Sequence, residues 1–248
     1  MAVLHLLGSG APFPNARRTT TMLAFETRGS AVVVDCGGDV VHGLAAAGIP
    51  VEQVDALVVT HEHPDHVGAF PLFMELVWLG GRRRPIDVYG IAPAIAQARR
   101  CFDAFESGGW KSEPPVRWHT VEHTEGALVL ETDRWRVTAS PGTHSVPVIG
   151  LRVEDRAGGG TAAYSCDTEP SEAIERLAKG VDVLVHEGTG EGKGHTSMQD
   201  AARLAKRAGA GRLVLAHLPP EIDDKDLAEA RSIFPNTELG EDGARYEF

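Results

Sequence analysis

The sequence predicts an α/β fold in which two β-sheets pack face to face and helices cover the outer faces, an αββα four-layer sandwich. Short β-rich segments alternate with helical segments along the 248 residues, and both halves of the chain contain clusters of strands. Hydrophobic residues make up 42% of the chain, which is enough for a substantial core. No shift in composition marks a domain boundary, so we expect residues 1–248 to form a single domain.

The first half of the chain is predicted to begin with three strands and to continue with alternating helices and strands. The strands are apolar, β-branched segments, and they comprise Val3–Leu7, Thr20–Glu26, Ala31–Asp35, Val54–Thr60 and Ile86–Tyr89. Gly29-Ser30 predicts the turn between the second and third strands. The helices have glycine or proline among their end signals, and they comprise Asp39–Ala47, His66–Leu79 and Ala92–Phe105.

The second half follows a surface loop, Ser107–Pro115, which contains two glycines and two prolines. Its first strands form an uninterrupted series with turn residues between them: Val116–Val121, Ala127–Glu131, Trp135–Ser140, Val148–Glu154 and Thr161–Cys166. After these, helices and strands alternate again in the order Pro170–Ala178, Val181–His186, Ser197–Ala208, Arg212–Ala216 and Asp224–Ile233. A short strand near Tyr246 ends the predicted set.

Charge and composition exclude several classes of protein. The formal net charge of −11 argues against a surface that coats nucleic acid, although a site for one phosphate depends on local charge. The three cysteines are widely and irregularly spaced, which predicts reduced, mostly buried thiols and no disulfide framework. There is no apolar window long enough to span a membrane and no signal-peptide pattern. We therefore expect a cytoplasmic protein without a membrane partner.

The segment that points to chemistry is His61-Glu62-His63-Pro64-Asp65-His66, directly after the predicted strand Val54–Thr60. Three imidazoles and an additional carboxylate lie within six residues on a strand-to-helix turn. Imidazole and carboxylate are ligands that suit zinc and its first-row neighbours. A polar turn with solvated histidines is the structural alternative, but this pattern is far more specific than a single His-x-His pair.

This segment resembles the signature of the metallo-β-lactamase superfamily. The remaining ligand types follow in the family's order, each after a predicted strand: His144, Asp167 and His217. The resemblance implies an αββα fold of the metallo-β-lactamase type and a pair of zinc ions, with manganese or iron as alternatives that the same ligands accept. One metal would take His61, His63 and His144. The other would take Asp65, His66 and His217, with Asp167 bridging both.

Two further segments resemble the ribonuclease Z-like branch of that superfamily: Leu7-Gly8-Ser9-Gly10 with Arg17-Arg18-Thr19-Thr20, and His186-Glu187-Gly188-Thr189 with Gly194-His195-Thr196-Ser197. The branch implies hydrolysis of a phosphodiester by a metal-bridging hydroxide. His195 would be a non-ligand histidine that donates a proton to the leaving oxygen. Asp65 would also be catalytic, because its carboxylate would hold the proton of the hydroxide.

Residues around this site are predicted to support it. Asp35, His186 and Glu187 are expected to orient the ligands or the proton donor from behind. Ser197 is expected to cap a helix and to contact an anionic substrate. Arg17 and Arg18 could also reach the substrate, although an equally good interpretation is that they are merely exposed.

The substrate predicted from these patterns is a small anionic ester, such as a nucleotide or an RNA end. Ribonuclease Z carries an inserted arm that grips tRNA, and only 22 residues separate His144 from Asp167 here, so this arm is expected to be missing. The alternatives are tRNA 3′-end cleavage, hydrolysis of an arylsulfate, lactone or thioester, and a binding protein without catalysis. A homodimer is expected, with the apolar helix Phe70–Leu79 as a candidate interface.

Overall fold

A computed structural model describes residues 1–13 and 16–248 of the chain. Two seven-stranded sheets face each other across a shared hydrophobic core, and helices pack on both outer faces. The αββα architecture predicted from the sequence is therefore confirmed. In the described part of the chain, no helix is long and apolar enough to cross a membrane.

The first sheet is built from the first half of the chain and one returning strand. Its strands, in spatial order, are β14 (Ala244–Glu247), β1 (Val3–Gly8), β2 (Met22–Thr27), β3 (Ser30–Val34), β4 (Val54–Val59), β5 (Ile86–Gly90) and β6 (Val116–Thr120). The strands from β3 to β6 run parallel. Their carboxyl ends consequently meet at one edge of the sheet.

The second sheet mirrors this plan. Its strands, in spatial order, are β13 (Thr237–Leu239), β12 (Arg212–Ala216), β11 (Val183–Glu187), β10 (Thr161–Tyr164), β9 (Ile149–Asp155), β8 (Trp135–Pro141) and β7 (Ala127–Glu131). The strands from β10 to β13 run parallel. β13 is missing from the sequence prediction because three residues are too few to show an alternating pattern.

The helices cover the two outer faces and match the predicted ones with one exception. They are α1 (Val40–Ala46), α2 (Pro64–Val67), α3 (Phe70–Leu79), α4 (Ala92–Asp103), α5 (Glu172–Leu177), α6 (Met198–Ala208) and α7 (Asp224–Ile233). The predicted helix His66–Leu79 is wrong as one element, because α2 ends before Gly68 and α3 begins anew. Pro71 occupies the first turn of α3, where its missing N–H is tolerated; deeper in a continuous helix it would break the hydrogen bonding.

The hairpin between β2 and β3 turns one residue earlier than predicted. Thr27 pairs with Ser30, so the turn residues are Arg28 and Gly29 instead of Gly29-Ser30. Both turn residues are left-handed, with φ of 48° and 76°. This is the conformation of a two-residue turn of type I′, which matches the twist of the strands it joins.

The core between the sheets is almost wholly apolar. Trp135 of β8 is fully buried and its indole N–H donates to the Ser30 hydroxyl of β3 over 2.9 Å. A second apolar cluster lies between the outer face of the second sheet and the helices α5, α6 and α7. The first cluster joins the two sheets, and the second attaches these helices to the second sheet.

The loops at the carboxyl ends of the parallel strands converge on one rim of the sandwich. Three residues that follow strands there adopt the left-handed conformation although they are not glycine, namely Asp35 (φ 63°), Cys166 (φ 53°) and His217 (φ 50°). Such conformations typically cost about 1–3 kcal/mol each and persist where the surroundings enforce them. They mark this rim as the functional end of the fold.

Candidate metal centre

The seven side chains predicted as metal ligands lie together at the rim. Their ligand atoms form two groups whose members are within 4.8 Å of one another. The first group contains His61, His63, His144 and Asp167, and the second contains Asp65, His66, His217 and Asp167. Asp167 belongs to both groups. The grouping therefore coincides with the two ligand sets expected from the family resemblance.

In the first group, imidazole nitrogens face one another at hydrogen-bonding distance. His63 Nδ1 lies 3.0 Å from His61 Nε2 and 3.2 Å from His144 Nε2. The Asp167 Oδ2 atom is 4.0 Å from His61 Nε2 and 3.9 Å from His144 Nε2. Nitrogen lone pairs that point into one space repel each other unless a proton or a cation lies between them.

In the second group, two carboxylates alternate with two imidazoles. His217 Nε2 lies 3.3 Å from both Asp65 Oδ2 and Asp167 Oδ2. His66 Nε2 lies 3.4 Å from Asp65 Oδ2 and 3.5 Å from Asp167 Oδ1. Asp167 Oδ1 thus faces His66, while its Oδ2 faces both His217 and the first group, so this carboxylate would serve both cations.

Unpaired buried atoms test whether these residues fit a metal. His66 Nε2 and Asp167 Oδ1 are both buried and have no hydrogen-bond partner in the described structure. A buried polar atom without a partner is costly, which makes such atoms rare. A divalent cation would satisfy both. Imidazole and carboxylate donors in this number suit zinc, manganese or iron.

The pKa shifts of the cluster run in both directions. Burial lowers the pKa of His66, but Asp167 and Asp35 outweigh it and raise that pKa well above the ordinary value, so a cation bound there would displace a proton. Burial alone favours the protonated acid, but His217 and His66 hold the pKa of Asp167 well below its usual range. Hydrogen bonds from His217 and His66 likewise overcome burial and lower the pKa of Asp65. Burial lowers the pKa of His61, which keeps its ring neutral. Ionised carboxylates and neutral imidazoles are the forms that bind metals.

Asp35 holds His66 from behind, as the sequence suggested for a supporting carboxylate. Asp35 is fully buried, which raises its pKa, and its Oδ2 accepts from His66 Nδ1 over 2.8 Å. Thr60 donates to Asp35 through its backbone N–H (2.9 Å) and its hydroxyl. The Thr60 hydroxyl also accepts from His61 Nδ1 over 3.2 Å. Thr60 thereby turns His61 Nε2 toward the cluster, a contact that the sequence analysis missed.

Two more ligand-orienting contacts were missed because they join distant segments. His144 Nδ1 donates to the carbonyl of Gly194 over 2.7 Å. The Thr189 hydroxyl donates to the carbonyl of His217 and accepts from His217 Nδ1 over 2.8 Å. Both contacts leave the Nε2 atoms facing the cluster. In the sequence, the one indication of these contacts was that Thr189 and Gly194 lie in the two motifs that contain Glu187 and His195.

Cys166 lies against the cluster but is poorly suited as a ligand. Its Sγ is 3.0 Å from the Thr60 hydroxyl and 3.5 Å from His61 Nδ1. Burial raises the pKa of the Cys166 thiol to about 12, which disfavours the thiolate that metals bind. Like Cys36, it is a buried free thiol, and Cys101 is partly exposed. The expectation of reduced, mostly buried cysteines holds.

His195 and Glu187 form a hydrogen-bonded pair beside the ligands. The Glu187 carboxylate is fully buried and accepts from His195 Nδ1 over 3.0 Å, while the His195 side chain is 26% exposed. Glu187 is fixed in turn by the backbone N–H groups of Thr168 and Thr189. This hydrogen bond raises the pKa of His195. The ring lies 5.1 Å from that of His144, so its Nε2 is close to the cluster.

Four other predicted site residues have different surroundings. His186 is buried and its Nδ1 donates to the carbonyl of Glu187, so the structure gives it no hydrogen bond to a ligand or to His195. Ser197 caps α6 by accepting from the Asp200 N–H, which confirms its capping role. The remaining two are Arg17 and Arg18. They line a cavity of about 620 Å³ together with Leu7, Asp39, His42 and Asp242.

The chain is similar over its whole length to ribonucleases of other organisms. It is 28% identical to ribonuclease Z of Methanothermobacter thermautotrophicus, covering 98% of this chain and 95% of that protein. It is 32% identical to ribonuclease Z of Mycobacterium sp. (strain KMS), covering 100% of this chain and 96% of that protein. These alignments extend over 298 and 279 positions, so each relative contains segments that this 248-residue chain lacks.

Solved structures agree on the fold. The short form of human tRNase Z superposes with a TM-score of 0.80 at 21% identity, covering 100% of this chain and 99% of that one. A diphosphatase of the PhnP family gives 0.76 at 21% identity, covering 100% and 98%. The family model described as "Beta-lactamase superfamily domain" matches residues 30–218. The chain therefore belongs to the metallo-β-lactamase superfamily, in its ribonuclease Z-like branch, and is a metal-dependent hydrolase.

Proposed function

We propose that this chain is a two-zinc phosphodiesterase whose substrate is a small anionic ester, such as a nucleotide or an RNA end. The observation that carries the proposal is the position of the His195–Glu187 pair directly beside two adjacent ligand groups that share Asp167. Two cations side by side and a proton donor are the parts that phosphodiester hydrolysis requires.

The two metal sites would be held by the residues named above. One cation would take the three imidazoles of the first group, the other would take Asp65 and the two imidazoles of the second, and Asp167 would serve both. When bound, the ions would supply an activated water and positive charge for the phosphate oxygens. Zinc suits this ligand set best because it accepts nitrogen and oxygen donors with an open position.

The residues of the chain would control the protons. His195 donates its Nδ1 proton to Glu187, so the Nε2 proton is the one available for the leaving oxygen. The hydrogen bond to Glu187 raises the pKa of His195, which favours the protonated ring. Asp65 remains ionised and would accept a hydrogen bond from the attacking water. Leaving-group protonation is worth on the order of 10²–10⁴ in rate.

A small substrate is favoured over the body of a tRNA. The turn between β9 and β10 contains only residues 156–160, and the net charge is −11. Neither feature offers an arm or a basic surface for a folded RNA. Arg17 and Arg18 lie on a loop that is tied beside His217 through the hydrogen bond from the Ala11 N–H to the Leu218 carbonyl. We propose that these arginines and Ser197 contact the anionic substrate.

Cleavage of tRNA 3′ ends is the second candidate, and the full-length similarity to ribonuclease Z favours it. It predicts tight binding of precursor tRNA with a steep dependence on salt. Hydrolysis of an arylsulfate, a lactone or a thioester would use the same metal centre with a different pocket. Only the substrate that is hydrolysed distinguishes these alternatives, because all of them would use the same metal centre.

The deciding experiment measures turnover of a panel by protein of known metal content. The panel contains a chromogenic phosphodiester, a phosphomonoester, an arylsulfate, a lactone and a precursor tRNA, each assayed with the parent and with His63→Ala. We expect the phosphodiester to be preferred and its turnover to be lost in the variant. If another ester is hydrolysed fast and the phosphodiester is not hydrolysed, the proposed substrate class is wrong. Cleavage of the precursor tRNA would favour the second candidate.

The proposed function is accompanied by a proposed oligomeric state and cellular location. We propose a homodimer and a cytoplasmic location for a single domain spanning residues 1–248. In α3, Phe73 and Val77 are buried in the core, whereas Leu72 and Leu79 are exposed by 37% and 64%. A dimer through this helix would therefore use its exposed leucines, and sedimentation velocity of Leu79→Glu against the parent would test it.

A further inference from the structure

The turn that follows Asp167 connects two other loops of the site. The Thr168 N–H donates to the Glu187 carboxylate, and the Thr168 hydroxyl accepts from the Thr143 N–H, both over 2.9 Å. The Glu169 N–H donates to the Thr143 carbonyl over 2.8 Å. The turn is thus attached both to the loop that carries His144 and to the end of β11.

The Glu169 side chain extends this attachment to a third loop, residues 188–197. Its Oε1 accepts from the Gly194 N–H over 2.9 Å. The carbonyl of the same glycine accepts from His144 Nδ1 over 2.7 Å. His195 is the next residue along the chain. Through its own N–H and its own carbonyl, Gly194 therefore connects the Glu169 carboxylate to a metal-ligand candidate, and through the chain to the proposed proton donor.

The position of Gly194 allows no other residue. Its φ is +87°, and a Cβ atom there would lie 2.7 Å from His144 Nδ1. The loop also contains Gly190, with φ of 129°, and Gly192. A glycine-rich segment has many accessible conformations, so fixing one of them has a large entropic cost. Hydrogen bonds to charged acceptors are stronger than those between neutral groups, and Glu169 provides one at this loop.

We propose that Glu169 is a positioning residue for the proposed hydrolysis, because its carboxylate fixes the Gly194 peptide and with it the orientations of His144 and His195. The Glu169 carboxylate belongs to neither of the two ligand-atom groups. Its effect is exerted through the loop. The inference concerns the same site as the proposed function and rests on it for its catalytic consequence, while the structural part can be measured independently.

The test compares Glu169→Ala, Glu169→Gln and the control Glu172→Ala in metal-loaded protein. Glutamine retains an acceptor oxygen for the Gly194 N–H, whereas alanine does not. Glu172 is an acid three residues further on whose carboxylate is 89% exposed and pairs with Arg176 on the same helix. Its removal changes the charge equally without touching the loop. Thermal unfolding of each variant establishes that the fold is retained.

The first measurement is amide hydrogen exchange of the 188–197 segment by mass spectrometry. We expect about tenfold faster exchange at Gly194 in Glu169→Ala, as the loss of one charge-assisted hydrogen bond predicts. Glu169→Gln, which keeps a neutral acceptor, should show a smaller increase than Glu169→Ala, and Glu172→Ala should exchange like the parent. Exchange in Glu169→Ala that equals that of the parent would overturn the proposal, whether or not the protein hydrolyses phosphodiesters.

The second measurement is the kinetics of two phosphodiesters, one with an alkyl and one with a 4-nitrophenyl leaving group. In Glu169→Ala, kcat for the alkyl ester should fall by about tenfold at unchanged KM, with a smaller fall for the nitrophenyl ester, which needs no proton donor. Glutamine should restore kcat. An equal fall for both esters, or a change confined to KM, would contradict positioning of His195. If the parent hydrolyses no phosphodiester, the proposed function fails, and the exchange result still decides the role of Glu169 in the loop.

Discussion

His195 is bound to a buried charged group and is also partly accessible to solvent. Its Nδ1 is bound to a carboxylate that has no solvent exposure, while a quarter of its side chain remains exposed toward the cleft. The first arrangement favours the protonated ring, and the second allows the ring to reach a substrate. His66 has only the first property, because its Nδ1 is bound to Asp35 but its side chain is fully buried.

Replacement of His195 should separate substrates by leaving group. In His195→Ala we expect turnover of an alkyl phosphodiester to fall by about 10²–10⁴, because the alkoxide then leaves without a proton. Turnover of a 4-nitrophenyl ester should fall much less, since nitrophenolate is stable without one. Steady-state kinetics at fixed metal content measures both, and an equal loss on both esters would exclude the proton-donor role.

The pH dependence of the same reaction follows from Glu187. The pKa of His195 is raised, mainly by its hydrogen bond to Glu187, so the protonated donor persists above the ordinary histidine pKa of about 6.5. Activity on the alkyl ester should decline as pH rises through the raised pKa. Glu187→Gln removes the charge, so that decline should shift to lower pH. A decline at unchanged pH in this variant would show that another group titrates.

At the scale of single elements, the hairpin turn between β2 and β3 offers a clean test of local geometry. Arg28 is exposed and left-handed, with φ of 48°. Asparagine adopts this conformation more readily, and Asn-Gly is the preferred pair for such a turn. We expect Arg28→Asn to raise the free energy of unfolding by up to about 1 kcal/mol. Arg28→Val, a β-branched control, should lower it, as urea denaturation of both would reveal.

The individual elements also show which parts of the fold and of the candidate site could be predicted from the sequence. The candidate ligands could be predicted because His61, His63, Asp65 and His66 lie within one turn, and the resemblance to the superfamily implied the other three. The separation of α2 from α3 was missed because an apolar helical period continues across Gly68. The contact between His144 and Gly194 joins residues that are 50 positions apart, and no local pattern encodes such a pair.

At the scale of the whole molecule, the candidate metal centre connects the two sheets. Five of the residues at its core follow β3 or β4 of the first sheet, namely Asp35, His61, His63, Asp65 and His66. The other three follow strands of the second sheet, namely His144, Asp167 and His217. Bound cations would neutralise facing carboxylates and satisfy the orphaned atoms between the sheets. Metal binding and folding stability should therefore be coupled.

Removal of the metal should lower the melting temperature of the intact protein. A ligand present at about 100 times its Kd contributes about 2.7 kcal/mol of stability, so a chelator should lower Tm by several degrees. The control His123→Ala replaces an exposed histidine outside both ligand groups and should retain the chelator response. His217→Ala should show a reduced one. Calorimetric scans with and without chelator measure this, and identical scans for the parent would contradict the coupling.

The location of all candidate site residues at one rim also affects how the specificity of such a protein can evolve. At the opposite rim the connection between β2 and β3 is a two-residue hairpin turn at Arg28 and Gly29. The loops at the functional rim end in residues that are held by hydrogen bonds rather than by core packing. Insertions and substitutions there can alter which ester is accepted while the apolar interior stays intact. New specificities should therefore be obtainable by exchanging these loops, with little loss of the stability that the sheets provide.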